Sequence, residues 1–315
     1  MRKSRNHTDF LWIRPSTWLS FLTLLLTLYV MALVQVGVDV RADFDAEPLP
    51  DLLHDAWYVT WSWAPTVTIA VMSGITLLMV LLLTARPQLV IRRMAWILSV
   101  LFAMRALTIP ITQFPNPYLL CERADATLLA RPFLAAWHIL TGQLMTCADV
   151  MFSAHTSLLV TMAWAWLLYT HHWAARLFGV LCALFGALII VVTRLHYTAD
   201  VLVAILLTSL VHMVYFFAVA LGEVIKPRGA HQPVFHSWFP GAWLIQLIRH
   251  MDDNNRPEDK HVHIENGRGH MPGAYHFADI KIFLQGGAAG PALFMDRVDD
   301  GEADGIVYIF DNLSQ

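Results

Sequence analysis

Residues 173–223 read WAARLFGVLCALFGALIIVVTRLHYTADVLVAILLTSLVHMVYFFAVALGE. Two long apolar runs, 173–193 and 200–223, are separated only by a short segment that contains His196 and leads into Asp200. An α-helix needs about 20 apolar residues to cross the hydrocarbon core of a bilayer. The stretch therefore predicts two membrane-spanning helices joined by a short polar turn.

The same criterion finds four more spans outward from this stretch, at 18–37, 63–84, 92–112 and 151–170. They predict an all-α integral membrane protein with six transmembrane helices. The composition agrees, because 57% of the 315 residues are hydrophobic and only 14% are charged, whereas soluble domains carry about 25% charged residues. The net charge of −3 gives no indication of a nucleic-acid partner.

Lysine and arginine in the short loops indicate the orientation, since they accumulate on the cytosolic side. Basic residues lie in the N-terminal arm 1–17, in the 85–93 loop and just after the sixth span. We therefore expect a six-helix domain over 18–228 with both termini in the cytosol. Residues 229–315 are polar and predict a flexible cytosolic tail, with a weak strand-like run at 305–311.

Two histidines and one aspartate lie at helix ends on the same side of this predicted bundle. His155 begins helix four, and His196 and Asp200 begin helix six. The spacing of four between His196 and Asp200 is that of two side chains on one helix face. We expect a catalytic site at the non-cytosolic ends of helices four and six.

These residue types are suited to breaking and remaking a phosphate ester. A neutral His196 can attack phosphorus and form a phospho-histidine, with Asp200 holding its other ring nitrogen. His155 can protonate the leaving alkoxide and later deprotonate the incoming alcohol. Arg194 can donate to phosphate oxygens. No metal site is expected, because no further ligands lie at suitable spacings.

Further candidates surround this triad. Arg105 is costly in lipid and is therefore a candidate for phosphate binding; the alternative is a side chain that reaches up to the interface. Tyr197 is a candidate for substrate binding. Asp149 and Ser153 could position a head group, or could cap helix four. The remaining histidines near helix ends are interpreted as interfacial: His54, His138, His171, His172 and His212.

Four ordered motifs carry a family resemblance. They are P-L-P-D at 48–51, R-A-L-T-I-P-I-T-Q-F-P-N-P-Y-L-L-C at 105–121, C-A-D-V-M-F-S-A-H-T at 147–156 and H-Y-T-A-D-V at 196–201. Together they resemble the sphingomyelin synthase family, the lipid-phosphotransferase branch of the type-2 phosphatidic acid phosphatase group. The resemblance extends over roughly residues 18–225, and the run around His196 looks closest to the sphingolipid synthases of kinetoplastid protozoa.

The resemblance implies an enzyme that acts on lipids. A phospho-alcohol head group would pass from a glycerophospholipid to ceramide, with diacylglycerol released and with His155, His196 and Asp200 as the catalytic residues. Phosphocholine is the first choice, and phosphoethanolamine and phosphoinositol are alternatives. No cofactor is implied, and the site would face the Golgi lumen or the cell exterior. Membrane lipids are the expected partners. The sequence leaves open whether the chain forms a homo-oligomer.

Two features of the motifs leave alternatives open. Alanine replaces the motif glycines at 148 and 154, which matters only if the backbone there needs a positive φ. Cys121 and Cys147 fall in one non-cytosolic loop, where either a disulfide or free thiols are compatible with the sequence.

Three rival functions are weighed against the transferase. A lipid phosphate phosphatase would use the same triad with water as acceptor. Phosphatases of this group usually carry a K-x6-R-P block and the pattern S-R-x5-H-x3-D. Here the first block is absent, and only Leu195 separates Arg194 from His196. A non-catalytic ceramide sensor is supported only by the two alanines. A transporter would place its ionisable residues at mid-bilayer rather than at helix ends.

Overall fold

The computed structural model describes residues 15–224 with short gaps, residue 248 and three strands near the C-terminus. The gaps are residues 45, 58, 60, 62, 85, 119–120, 122–124 and 148. The chain divides into a helical unit that ends at Ala218 and a second unit from Val219 onward.

Long helices form at all six predicted positions. They are α1 (Pro15–Asp39), α3 (Ala64–Leu83), α4 (Pro87–Thr108), α7 (Ala154–Tyr169), α8 (Trp173–Val192) and α9 (Thr198–Val224). Three short helices lie in the connecting loops: α2 (Leu52–Ala56), α5 (Ala126–Leu129) and α6 (Pro132–Leu140).

Four of the long helices in the described part of the chain, α1, α3, α8 and α9, are long and apolar enough to cross a membrane. The other two differ for identifiable reasons. Helix α4 carries three arginines, Arg92, Arg93 and Arg105, and α7 has only 16 residues. The structure therefore supports a membrane protein with four apolar helices of sufficient length. Six membrane-spanning helices stay a prediction.

The core of the helical unit lies among α3, α4, α7, α8 and the start of α9. Helix α8 packs closely on α7 because it presents glycines there. A Cβ atom on Gly179 would lie 2.4 Å from Cβ of Trp166, and one on Gly186 would lie 2.6 Å from a methyl carbon of Leu159. Small residues permit this close approach of helices in membrane proteins.

The C-terminal end of α1 holds the long loop between α4 and α7. Ala32 and Val36 of α1 pack against α6. Asp39 accepts a 2.9 Å hydrogen bond from the backbone N–H of Cys147, and Gln35 donates to the carboxylate of Asp149. These contacts fix the loop just before α7 begins.

The second unit contains an antiparallel sheet in the order β1 (Ile280–Gly287), β2 (Gly290–Arg297) and β3 (Ile306–Tyr308). In its register Gly287 faces Gly290 and Leu293 faces Tyr308. The all-α prediction did not include this sheet, although β3 falls within the run that the sequence marks as strand-like. The predicted boundary at 228 lies outside the described residues, and the flexibility of the tail stays a prediction.

Candidate active site

The loops that precede α7 and α9 meet at one end of the helical unit. His155 lies in the first turn of α7, and His196 lies in the loop two residues before α9. Their ring centroids are 6.1 Å apart and the rings are tilted by 55°. The backbone N–H of Ser153 donates to the carbonyl oxygen of Asp200 at 3.3 Å, which ties the two helix starts together.

The ring of His196 is buried and held by the backbone. Its Nδ1 lies 3.0 Å from the carbonyl oxygen of Val150. Because a carbonyl oxygen can only accept, Nδ1 carries the hydrogen in this pair. The lone pair of the neutral imidazole is therefore on Nε2, the nitrogen that remains for attack on a substrate.

Asp200 does not hold the second ring nitrogen of His196, as the sequence had suggested. His196 precedes α9, so the spacing of four does not place the two side chains on one helical face. The Asp200 carboxylate instead accepts a 3.2 Å hydrogen bond from the backbone N–H of Tyr197. It turns back over the start of its own helix.

Burial keeps His196 in its neutral form. It holds the pKa of His196 well below the usual value, and the positive charge of Arg105 and the nearby ring of His155 lower this pKa further. The hydrogen bond to the Val150 carbonyl opposes these effects but is smaller. The imidazole is thus uncharged at neutral pH.

Arg105 is directed inward and not toward the interface. Its side chain is only 1% exposed, and its guanidinium group donates to the carbonyl oxygen of Met151 at 2.9 Å and to the Asp149 carboxylate at 2.5 Å. It also lies over the ring of Phe152, 5.6 Å from the centroid. Arg105 therefore organises the loop that carries Val150, close enough to the histidines to influence their charge.

Ser153 and Asp149, the two candidate polar residues before α7, make different contacts. Ser153 is the N-cap of the helix, because its hydroxyl oxygen accepts a 3.1 Å hydrogen bond from the backbone N–H of Thr156. Asp149 is not a cap; it pairs with Arg105 and Gln35. The expected cap of α7 is thus Ser153 and not Asp149, and a role of either residue in positioning a head group stays a prediction.

Arg194 and Tyr197 are engaged with the protein. The guanidinium group of Arg194 donates to the carbonyl oxygen of His54 at 2.8 Å. The hydroxyl of Tyr197 accepts from the backbone N–H of Leu49 and donates to the carbonyl oxygen of Pro115, each at 2.9 Å. Both residues connect loops around the site.

Sequence reasoning missed two residues beside the site. His54 was interpreted as interfacial, but it is buried and its Nε2 donates to the carbonyl oxygen of His196 at 3.2 Å. Asp51 entered the sequence analysis only as the last residue of the P-L-P-D motif, yet its carboxylate accepts hydrogen bonds from Thr198. The P-L-P-D motif was the available signal, but nothing in it names a partner about 147 residues away.

His155 has a buried nitrogen that could face a substrate. Its Nδ1 is enclosed, and no hydrogen-bond partner for it lies within the described part of the chain. Unpaired buried polar atoms are rare in native structures and call for an explanation. Among the described residues no group of three His, Cys, Asp or Glu side chains is arranged to hold a metal.

Two questions left open by the sequence are answered at this site. Cys121 and Cys147 form a disulfide, which anchors the loop two residues before Asp149. Ala154 is the first residue of α7 and has no positive φ, so glycine is not needed there. Phe152 and Arg194 are the non-glycine residues with positive φ in the described segments. Ala148 lies outside the described residues.

Known proteins resemble this chain over the same region. A family model described as PAP2 superfamily C-terminal matches residues 146–217. Sphingomyelin synthase-related 1 of Caenorhabditis elegans is 27% identical over 246 residues, covering 72% of this chain and 48% of that protein. The human sphingomyelin synthase-related protein 1 is 26% identical over 232 residues, covering 68% and 52% respectively.

A third relative is more similar over a shorter region. The phosphatidylethanolamine:ceramide ethanolaminephosphotransferase of Trypanosoma brucei brucei is 34% identical over 132 residues, covering 38% of this chain and 39% of that enzyme. The chain spans about half the length of the sphingomyelin synthase-related proteins that it matches.

Proposed function

We propose, from the confirmed resemblance to the sphingomyelin synthase family, that this chain is a ceramide phosphotransferase of the PAP2 superfamily. It would move a phospho-alcohol head group from a glycerophospholipid to the primary hydroxyl of ceramide and release diacylglycerol. The observation that carries this proposal is the hydrogen bond from Nδ1 of His196 to the Val150 carbonyl, which leaves Nε2 as the nucleophile.

In the first step, Nε2 of His196 attacks the phosphorus of the donor lipid. A P–N bond forms and the P–O bond to diacylglycerol breaks. Protonated His155 gives its proton to the departing alkoxide oxygen. The ring centroids lie 6.1 Å apart, which lets the two imidazoles act on one phosphoryl group.

In the second step, neutral His155 takes the proton from the primary hydroxyl of ceramide. The ceramide oxygen attacks phosphorus, a P–O bond forms and the P–N bond breaks. His196 regains its lone pair on Nε2, and His155 is again protonated. One proton has moved from ceramide to diacylglycerol, so the cycle needs no cofactor.

Asp200 and Arg105 act in this scheme through charge. The attack on phosphorus makes the imidazole of His196 positive, and the carboxylate of Asp200, at the start of α9, offsets that charge. Arg105 holds the loop of Val150 and contributes a positive charge beside the phosphoryl oxygens. Arg194, Asp149, Ser153 and Tyr197 hold the loops around the site, and a contact of any of them with the phosphoryl group stays a prediction.

The head group is proposed as phosphocholine, with phosphoethanolamine and phosphoinositol as alternatives. Relatives are named for transfer of phosphocholine and of phosphoethanolamine. One in Caenorhabditis elegans is a phosphatidylcholine:ceramide cholinephosphotransferase, and one in Trypanosoma brucei brucei is a phosphatidylethanolamine:ceramide ethanolaminephosphotransferase. Trp61 and Trp63 stack at 6.2 Å in the loop before α3 and are exposed, and such rings favour quaternary ammonium groups.

The proposed topology has six spans with the catalytic site on the non-cytosolic side, in the Golgi or the plasma membrane. The disulfide between Cys121 and Cys147 supports this orientation, because disulfides persist in oxidising compartments. Basic residues at the opposite helix ends support it as well.

The test is head-group transfer by the purified full chain in liposomes. Fluorescent ceramide is supplied with phosphatidylcholine, phosphatidylethanolamine or phosphatidylinositol, one donor at a time. The variant His196→Ala should form no phosphosphingolipid, and His171→Ala, which changes an exposed histidine, should match the wild type. Release of the phospho-alcohol into water instead of transfer would show that water, and not ceramide, is the acceptor. No reaction with any donor would favour a phosphatase of lipid phosphate monoesters or the non-catalytic sensor.

A further inference from the structure

A segment far away in sequence surrounds the backbone of His196. Residues 49–54, which run into α2, make four sets of contacts with residues 194–198. They are the bond from the Leu49 N–H to Tyr197, the bonds from Thr198 to Asp51, the bond from His54 to the His196 carbonyl, and the bond from Arg194 to the His54 carbonyl.

The carboxylate of Asp51 caps two helices at once. Oδ1 accepts from the backbone N–H groups of Leu53 at 3.0 Å and His54 at 3.4 Å, at the start of α2. Oδ2 accepts from the backbone N–H of Thr198 at 2.7 Å, and Oδ1 accepts from its hydroxyl at 2.8 Å. Both helix starts present unpaired N–H groups, which a carboxylate satisfies well.

The position of Thr198 gives this cap its significance. Thr198 is the first residue of α9, two residues after His196 and two before Asp200. Asp51 therefore fixes the point at which the chain passes from the loop of the nucleophile into the helix. Burial alone would raise the pKa of Asp51, but the bonds from Thr198, the charge of His54 and the bond from Leu53 hold it below its usual value.

The loop requires support of this kind. Arg194 has φ of +57°, a left-handed conformation that is strained for a non-glycine residue and persists only where the surroundings impose it. The contacts from residues 49–54 lie on both sides of His196, at residues 194 and 198. These contacts bond to the His196 carbonyl oxygen and to its neighbours in the chain, and none of them is a bond to the His196 ring.

We propose that Asp51 is a positioning residue for the nucleophile: through Thr198 it sets the position of the His196 ring relative to phosphorus. This inference rests on the proposed function and deepens it. Because Asp51 holds the nucleophile and not the lipid, its loss should lower kcat and leave KM for ceramide nearly unchanged. A displacement of about 1 Å can cost up to about 100-fold in rate.

The experiment compares Asp51→Asn with Asp55→Asn in the liposome transfer reaction, using the donor that the wild type accepts. Asp55 is on the same short helix but its side chain is exposed. We expect kcat to fall by about 10- to 100-fold for Asp51→Asn with KM within about twofold. The Asp55→Asn variant should behave as the wild type.

A second pair keeps the test valid if Asp51→Asn fails to fold. Thr198→Ser keeps the hydroxyl that donates to Asp51 and should retain full kcat, whereas Thr198→Val loses it and should show a lower kcat at unchanged KM. Equal kcat values within each pair would overturn the inference while the wild type remains active. A wild type that transfers nothing would instead overturn the proposed function, and with it any role of Asp51 in kcat.

Discussion

The carbonyl oxygen of Val150 accepts a 3.0 Å hydrogen bond from Nδ1 of His196. Val150 precedes α7 and His196 precedes α9, so this bond joins the two loops that carry the candidate catalytic histidines. Whatever holds Val150 in place also orients the ring of His196. The contacts of Arg105 and the disulfide of Cys147 both act on this loop.

Arg105→Gln should weaken both folding and transfer. The change removes one partner of a buried ion pair, which typically costs about 3–5 kcal/mol because the other charge is left uncompensated. Thermal unfolding in detergent and transfer in liposomes measure the two effects. Arg86→Gln, at an exposed position before the same helix, is the control. An Arg105→Gln variant as stable and active as the control would contradict the role assigned to this side chain.

Removal of the disulfide should loosen the same loop. The double variant Cys121→Ser/Cys147→Ser should lose about 2–4 kcal/mol of stability, as is typical when a native disulfide is removed, and should transfer more slowly. The variant Cys182→Ser, which changes the free cysteine of α8, is the control. Unfolding midpoints with and without reductant give the comparison; a wild type insensitive to reductant would count against the tether.

The pH dependence of phosphoenzyme formation should reflect the lowered pKa of His196. Protonation of Nε2 blocks attack, so a pKa well below 6.5 keeps the nucleophile available as the pH falls from about 7.5 to 6.5. Single-turnover rates should therefore not fall over this window, because His196 stays unprotonated while the general acid His155 gains protons as the pH falls. A loss of half of the rate near pH 6.5 would show that His196 titrates normally.

The same pKa affects stability. Below about pH 6.5 the unfolded chain binds a proton at His196 that the folded protein does not, so stability falls as the pH falls toward the folded pKa. Arg105→Gln removes a positive charge that lowers this pKa. The pKa of His196 should therefore rise in that variant, and the fall of its unfolding midpoint with falling pH should end at a higher pH than in the wild type.

Ala154→Gly should not increase activity. Ala154 is the first residue of α7 and its backbone is helical, so restoring glycine gives no conformational benefit. Glycine within a helix costs about 0.5–1 kcal/mol relative to alanine. We expect transfer within about twofold of the wild type and a slightly lower unfolding midpoint. A large gain in activity would mean that alanine displaces His155.

Gly179→Ala should destabilise the helical unit. The new Cβ would lie 2.4 Å from Cβ of Trp166, an atom that cannot move without its helix, and such overpacking costs about 1–3 kcal/mol. Gly74→Ala on α3 meets no atom within 4 Å and should be neutral or stabilising. If the two variants had equal unfolding midpoints, the close packing of α7 on α8 would be excluded.

The amino-acid sequence by itself determined the membrane helices and the candidate residues. Apolar runs of sufficient length predicted long helices at six positions, and helices form at each of them. The motifs around His155 and His196 led to the resemblance that the relatives support. These features are local, so a single stretch of chain is enough to reveal them.

The tertiary structure decided which groups meet. The sequence paired His196 with Asp200 because they are four residues apart, but α9 begins only at Thr198 and the ring bonds to Val150. It gave no partner for Asp51 or Arg105, whose contacts lie 147 and 44 residues away. Periodicity shows which face of a helix is apolar; only the packing of helices brings distant loops together and satisfies their buried polar groups.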